Sequence, residues 1–93
     1  MENTFKLKVV TPDGVLYQKD VYLLKINTPK GYTEILPRHM SYITPVTEGV
    51  MEIVDDEKLK TRVTYKVGNG LLYVEKENTT LLLEGEAIKV EGK

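Results

Sequence analysis

The sequence predicts an all-β protein, a two-sheet β-sandwich or flattened barrel of about eight to ten short strands. Apolar and polar residues alternate over short stretches such as residues 4–10, and a period of two is typical of a strand with one buried face. Turn-forming proline, glycine, asparagine and aspartate separate these stretches at close intervals, as in sandwiches and barrels. No stretch repeats apolar residues at the i, i+3, i+4, i+7 spacing, so no long helix is expected.

Turn chemistry divides the chain into short strands. The Thr-Pro-Asp-Gly sequence at 11–14 predicts a tight turn, because proline presets φ and glycine suits the last position. Within residues 21–28, Val21, Tyr22, Leu23, Leu24 and Ile26 place apolar side chains on both faces, which indicates a strand covered on both sides. Gly68-Asn69-Gly70 predicts a hairpin, because asparagine and glycine tolerate positive φ. The predicted strands are residues 4–10, 14–18, 21–28, 41–44, 49–54, 60–67, 71–75, 79–83 and 87–90.

Composition restricts the class of protein. The 93 residues, 41% hydrophobic and 29% charged, predict one globular domain spanning residues 1–93. The net charge of −1, with both signs interspersed, argues against binding to nucleic acid or to an anionic membrane surface. The absence of cysteine excludes disulfides and thiolate zinc sites. With no signal pattern and no apolar run near the ~18 residues of a membrane span, we expect a soluble cytoplasmic domain without membrane insertion.

The segment 31–44 holds the single histidine, His39, and the single serine, Ser41. In an extended segment their Cα atoms lie about 7 Å apart on one face, but a hydrolase also needs an orienting acid and an oxyanion hole, and no Gly-x-Ser-x-Gly motif is present. One histidine without cysteine forms no closed zinc site, and Asp55-Asp56-Glu57 lacks calcium-loop spacing, so it predicts a solvated turn. No catalytic, metal or cofactor residue is therefore expected, and composition and spacing alone indicate a binding or structural module.

The order of motifs along the chain resembles the N-terminal β-sandwich of the epsilon subunit of the F-type ATP synthase. The resemblance covers nearly the whole sequence, and its most specific part is Ile35-Leu36-Pro37-Arg38-His39, which matches an Ile-Leu-Pro-Gly-His-like motif. The other matching segments are residues 10–14, 16–17, 44–49, 68–74 and 79–87.

The resemblance implies a non-catalytic rotor subunit of the central stalk. It would link the gamma subunit to the ring of c subunits below the catalytic head, and so couple ion translocation to ATP synthesis at the cytoplasmic face of the bacterial inner membrane. A close-packed sandwich suits this task because it transmits strain. The choice of proton or sodium belongs to the ring. The family typically adds two C-terminal helices that restrain ATP hydrolysis and sometimes bind ATP. The sequence ends where they would begin, so neither property is expected here.

Positions carried over from the family give two sets of candidate contact residues. Glu34 and Arg38 stand where the family has glycine, Met40-Ser41 where it commonly has Ala-Pro, and Tyr32 where it often has an acid. Because residues two apart on an extended segment share a side, we hypothesise that Glu34 replaces this acid. The resemblance implies a loop facing the c-ring that contains Tyr32, Glu34, Arg38, His39, Met40 and Tyr42, and a gamma-facing surface near Thr11, Thr44 and Met51.

Two alternatives remain open at this point. One is an unrelated β-sandwich that serves as an adaptor or ligand-binding module, which co-purification with gamma would distinguish from a rotor subunit. The other is a small enzyme centred on His39 and Ser41, which predicts a concave pocket around the imidazole rather than an exposed loop at one end of the sandwich.

Overall fold

The computed structural model describes residues 4–37, 40–55 and 62–90. These residues form ten strands and no helix, which confirms the all-β prediction and the expected number of strands. The strands are β1 Phe5–Thr11, β2 Gly14–Val21, β3 Leu23–Thr28, β4 Gly31–Ile35, β5 Tyr42–Val46, β6 Gly49–Val54, β7 Arg62–Val67, β8 Gly70–Val74, β9 Asn78–Leu83 and β10 Ile88–Lys89.

Two five-stranded sheets form the sandwich. Sheet A has the strand order β2-β1-β9-β8-β5, and sheet B has the order β10-β7-β6-β3-β4. Neighbouring strands are antiparallel except β1 and β9, which run parallel and pair from Lys6↔Asn78 to Val10↔Leu82. The first strand of the chain therefore lies in sheet A between β2 and a strand close to the other end of the sequence.

The inner faces of both sheets form one apolar core. Alternation places every second residue of β1 inward, so Phe5, Leu7 and Val9 are buried while Lys6 and Lys8 are exposed. Each fully buried aliphatic side chain of this kind contributes about 1.5–3 kcal/mol to stability. The core residues of the remaining strands are Val21, Leu24, Ile26, Ile35, Val46, Met51, Ile53, Tyr65, Val67, Leu72, Val74, Leu81 and Leu83.

The chain changes sheet at Tyr22, where a single continuous strand was predicted. Val21 pairs with Phe5 in sheet A, whereas Leu23 pairs with Val54 in sheet B. Within β3 the burial alternates normally. The apolar run therefore comes from a change of sheet between two half-buried strands, and the prediction of one strand covered on both sides is wrong.

The Gly68-Asn69-Gly70 segment crosses between the sheets, so the predicted hairpin is also wrong. β7 belongs to sheet B and β8 to sheet A. Neither Gly68 nor Gly70 has a positive φ. A Cβ on Gly70 would collide with the carbonyl oxygen of Leu82 in β9, so glycine is needed at position 70 for close approach of two backbones.

Two hairpins, one in each sheet, share the same turn. The sequences Thr-Pro-Asp-Gly at 11–14 and Thr-Pro-Lys-Gly at 28–31 join β1 to β2 and β3 to β4. In both, the threonine hydroxyl accepts from the amide two residues on, at 3.2 Å, and donates to the glycine carbonyl, at 3.3 Å in the first and 2.8 Å in the second. The glycines have φ of 125° and 111°, a region that favours glycine, which confirms the turn predicted at residues 11–14.

A polar cluster connects the two sheets beside β2. The Tyr17 hydroxyl donates to one Asp55 carboxylate oxygen at 3.0 Å, and the Lys19 ammonium donates to the other at 3.1 Å. Burial, together with the hydrogen bond to the Asp55 carboxylate, holds the pKa of Tyr17 well above its usual range. Asp55 is thus engaged and half-buried, rather than part of a fully solvated turn, while Asp56 and Glu57 lie outside the described residues.

Candidate interaction surfaces

The outer face of sheet A carries an exposed apolar patch. Residues directly opposite in antiparallel strands share a face, and the register places Ile43 opposite Tyr73 and Leu71 opposite both Pro45 and Leu82. The Ile43 side chain is 63% exposed. Contiguous exposed apolar surface of this kind marks an interaction site. The apolar patch comprises Val10, Val15, Ile43, Pro45, Leu71, Tyr73 and Leu82.

One end of the same face is polar. Lys8 lies beside Thr80 and Gln18, and Lys6 lies 3.7 Å from the Asp20 carboxylate. The apolar patch is therefore bordered by lysines on the β1 side.

The outer face of sheet B differs, because charged side chains of opposite sign alternate across it. The Arg62 guanidinium lies 2.7 Å from Glu52, and Lys25 stands between Glu52 on β6 and Glu34 on β4. Neighbouring opposite charges of this kind neutralise one another and keep the face hydrated.

Tyr32 joins β4 to β6 across β3 on this outer face. Its phenol oxygen accepts from the Val50 amide at 3.0 Å, and the Lys25 ammonium lies 5.8 Å from the ring centroid, within cation–π range. Beside it, the Asn27 side-chain amide donates to the Glu48 carbonyl at 2.9 Å. The backbone pairing of β3 with β6 ends at Lys25 and Glu52. Beyond that point, side-chain hydrogen bonds rather than backbone hydrogen bonds connect the strands.

Gly49 makes this arrangement possible. A Cβ at position 49 would lie 2.7 Å from the Tyr32 hydroxyl and 3.0 Å from the Asn27 Cβ. The phenol therefore occupies the space that a side chain at this position would need.

A cleft of about 430 Å³ lies between the edge strands β4 and β5. Hydroxyl-bearing side chains, including Thr33, Tyr42 and Thr44, line it together with Ile43 and Pro45. Burial raises the pKa of Tyr42, and a hydrogen bond with Thr33 acts in the opposite direction. The two sheets thus meet at this side through a polar contact. Within the described residues, no group of three His, Cys, Asp or Glu side chains is placed to hold a metal ion.

The family model for the β-sandwich domain of the ATP synthase delta/epsilon chain matches residues 4–88. The chain belongs to this family. It is 35% identical over 81 residues to the ATP synthase epsilon chain of Halalkalibacterium halodurans, a match that covers 87% of this chain and 59% of the relative. It is 32% identical over 90 residues to the epsilon chain of a Nitratiruptor species, covering 97% and 67%. Family membership rules out the alternative of an unrelated β-sandwich.

Solved structures show the same fold. A chain of the Euglena gracilis mitochondrial ATP synthase (OSCP/F1/c-ring) superposes with a TM-score of 0.84 at 19% identity, covering 96% of this chain and 55% of that one. A chain from the central stalk and c-ring of the Tetrahymena thermophila enzyme gives 0.69 at 10% identity, covering 90% and 65%. Among the epsilon relatives named above, this chain spans about three-fifths to two-thirds of the full length. The described residues include no helix that is long and apolar enough to cross a membrane.

The family resemblance predicted one loop that faces the c-ring, but the described residues of this set do not all lie in a loop. Tyr32 and Glu34 lie in β4, which was not predicted as a strand, and Tyr42 begins β5. Tyr32 and Glu34 do share the outer face of sheet B, as the two-residue spacing predicted. Met40, in the connection, is 82% exposed. Arg38 and His39 lie outside the described residues. Ser41 is exposed.

The gamma-facing residues expected from the epsilon family are spread over different environments. Thr11 sits in the first turn, where its hydroxyl is engaged, and Thr44 faces inward beside Leu72. Met51 is fully buried in the core, so its side chain is unavailable to a partner, and we drop it from this set. The apolar patch itself was missed. Its signal was the run Leu81-Leu82-Leu83, which is apolar on both faces of one strand.

Proposed function

We propose that the chain is a non-catalytic central-stalk subunit of a membrane ATP synthase. In this role it links the gamma subunit to the ring of c subunits below the catalytic head, and couples ion translocation to ATP synthesis. Membership of the delta/epsilon family supports this role, as do the epsilon relatives. The proposed location is peripheral, on the cytoplasmic face of the bacterial inner membrane.

The apolar patch carries the proposal, and gamma is its proposed occupant. A rotor subunit needs a surface that stays attached under torque, and burial of apolar area supplies about 25 cal/mol per Å². The outer face of sheet A offers such area around Ile43 and Leu82, whereas the outer face of sheet B is charged and self-neutralised. Of the positions inferred from the family, Thr11 and Thr44 lie on strands that contribute to the patch, β1 and β5, but the Thr44 side chain faces inward, away from the patch.

The ring contact is proposed at the β4–β5 end. Glu34 lies on an exposed outer face and can supply the negative charge that Tyr32 lacks, while Arg38, His39, Met40 and Tyr42 complete the proposed set. Rim ion pairs contribute only ~0.2–1 kcal/mol each. The variant Glu34→Lys should therefore weaken ring association in reconstitution without abolishing it, and unchanged association would exclude Glu34 from the contact.

Two isoleucines of equal exposure allow a matched test of the gamma-binding surface. Ile43 in the apolar patch and Ile88 on β10 of sheet B are both 63% exposed. We expect Ile43→Glu to lower the affinity for purified gamma by about tenfold or more, as at interface hot spots, and Ile88→Glu to leave it unchanged. Both variants should unfold at the wild-type temperature. Wild-type gamma binding by Ile43→Glu would contradict the assignment of gamma to the apolar patch.

A further inference from the structure

A polar depression adjoins the apolar patch on the outer face of sheet A. Its volume is about 360 Å³, and it lies across β2, β1 and β9, where the register sets Lys8 between Gln18 and Thr80. Val10 of the apolar patch follows Lys8 by two residues on β1, so the two side chains point to the same face. The depression and the apolar patch therefore form one continuous surface.

Lys8 carries a charge that its surroundings do not balance. Three lysines line the depression, Lys6, Lys8 and Lys19. The Lys6 ammonium lies 3.7 Å from the Asp20 carboxylate, and the Lys19 ammonium lies 3.1 Å from the Asp55 carboxylate. Among the described residues, Lys8 has no ion-pair partner, and the residues opposite it on β2 and β9 are neutral. The depression is therefore positively charged at Lys8.

A partner that covers the apolar patch also removes water from Lys8. Burial of a charge without a counter-charge costs free energy, so a partner that fits this surface supplies a carboxylate at Lys8. The Gln18 amide and the Thr80 hydroxyl, on either side of Lys8, are hydrogen-bond donors that the same carboxylate can accept from. The chemistry of the depression thus suits an acidic side chain.

We propose that the depression receives an aspartate or glutamate side chain of gamma, which pairs with Lys8. This inference rests on the proposed function, in which gamma occupies the apolar patch. The acidic residue flanks an apolar segment of gamma, and that segment lies against Ile43 and Leu82.

The ion pair fixes the orientation of the sandwich on gamma. Burial of apolar area is non-directional, so the apolar patch alone permits rotated arrangements. Lys8 on β1 and Ile43 on β5 lie in one row across the sheet, three strand spacings or about 14 Å apart. A charge at one corner of the contact selects the single arrangement in which it meets its opposite.

Titration of purified gamma against charge variants of this chain tests the ion pair. Lys8→Gln should weaken binding, and Lys8→Glu should raise the dissociation constant by about tenfold or more, because the reversal sets two acids opposite each other. Both losses should shrink between about 50 mM and about 500 mM salt, as screening increases. Lys66→Glu, the reversal of an exposed lysine on β7 of sheet B, should change neither the affinity nor its dependence on salt.

A second set of variants identifies the acidic residue. The exposed aspartates and glutamates of gamma are replaced by lysine one at a time. One of these replacements should weaken binding to the wild-type chain and return the affinity for Lys8→Glu to near the wild-type value. Circular dichroism should show every Lys8 and Lys66 variant natively folded, because both side chains are exposed.

The possible failures separate the ion pair from the proposed function. Wild-type gamma affinity of Lys8→Glu, together with weak binding by Ile43→Glu, would overturn the ion pair and leave gamma on the apolar patch. Tighter binding by Lys8→Glu, or the failure of every gamma reversal to restore its binding, would also overturn the ion pair. Wild-type affinity in both Lys8→Glu and Ile43→Glu would remove gamma from sheet A altogether.

Discussion

Replacing Gly70 by alanine should destabilise the fold strongly, because the added methyl group meets rigid backbone. The new Cβ would collide with the Leu82 carbonyl oxygen and lie 3.2 Å from the Leu83 Cα. Both atoms belong to β9, which is held by β1 on one side and β8 on the other. Relief therefore requires movement of a central strand whose Leu81 and Leu83 side chains are buried in the core.

The expected loss for Gly70→Ala is about 3 kcal/mol in the free energy of unfolding, at the upper end of the range for overpacking. For a domain of this size, that corresponds to a fall in Tm of roughly 15 °C. Urea denaturation followed by circular dichroism measures the free energy directly, and the slope of the transition should stay near the wild-type value because the exposed surface is unchanged.

Gly68 provides the control, from the same three-residue segment. A Cβ at position 68 would have no atom within 4 Å, and its φ is not positive. Gly68→Ala should therefore be neutral or stabilise by up to about 1 kcal/mol, through a smaller entropy of the unfolded chain. If Gly70→Ala came within about 0.5 kcal/mol of Gly68→Ala, the inference that Gly70 is required for backbone approach would be refuted.

Three further substitutions test other contacts. Tyr32→Phe removes a hydrogen bond to the β6 backbone and should reduce the unfolding free energy by about 1 kcal/mol, whereas the same change at half-buried Tyr73 should have little effect. Burial and the hydrogen bond to Asp55 raise the pKa of Tyr17 in the folded state. The stabilisation of the folded state that results from this shift is therefore fully present below the unfolded-state pKa of about 10 and declines as the pH rises above it. Stability should therefore fall more steeply above about pH 10 in the wild type than in Tyr17→Phe, and parallel urea-unfolding profiles from pH 8 to about 11 would contradict this. Met51→Ala removes a fully buried side chain and should lower the free energy of unfolding, measured by urea denaturation, by about 2–5 kcal/mol. A loss well below this range would mean that neighbouring side chains move in to fill the cavity.

The parts of the fold predictable from the sequence were those determined by local chemistry. The alternation in β1 and the threonine-proline turns follow from neighbouring residues alone, and both were confirmed. The repetition of the same turn at 11–14 and 28–31 was visible in the sequence and was overlooked. β4 was missed because Gly31 and Glu34 are weak strand formers, and their extended conformation depends on pairing with β3.

Non-local pairing accounts for the remaining errors. The run of apolar residues from Val21 to Leu24 looks the same whether one strand is buried on both sides or the chain changes sheet at Tyr22. Gly68-Asn69-Gly70 fits a hairpin by composition, yet β8 pairs with β5 and β9 in sheet A rather than with β7 in sheet B. The apolar patch depends on which strands are neighbours, since Ile43, Leu71 and Leu82 become adjacent only through the register of sheet A.

The parallel pairing of β1 with β9 sets the order in which a nascent chain can complete its fold. β1 can form a hairpin with β2 as soon as both have been synthesised, but its other edge waits for residues 78–83. Until then the hairpin exposes the core-facing side chains Phe5, Leu7 and Val9 beside an unpaired edge, a combination prone to aggregation. Sheet A closes only after β9 has been synthesised, so a shortened chain that ends before β9 should bind chaperones or precipitate.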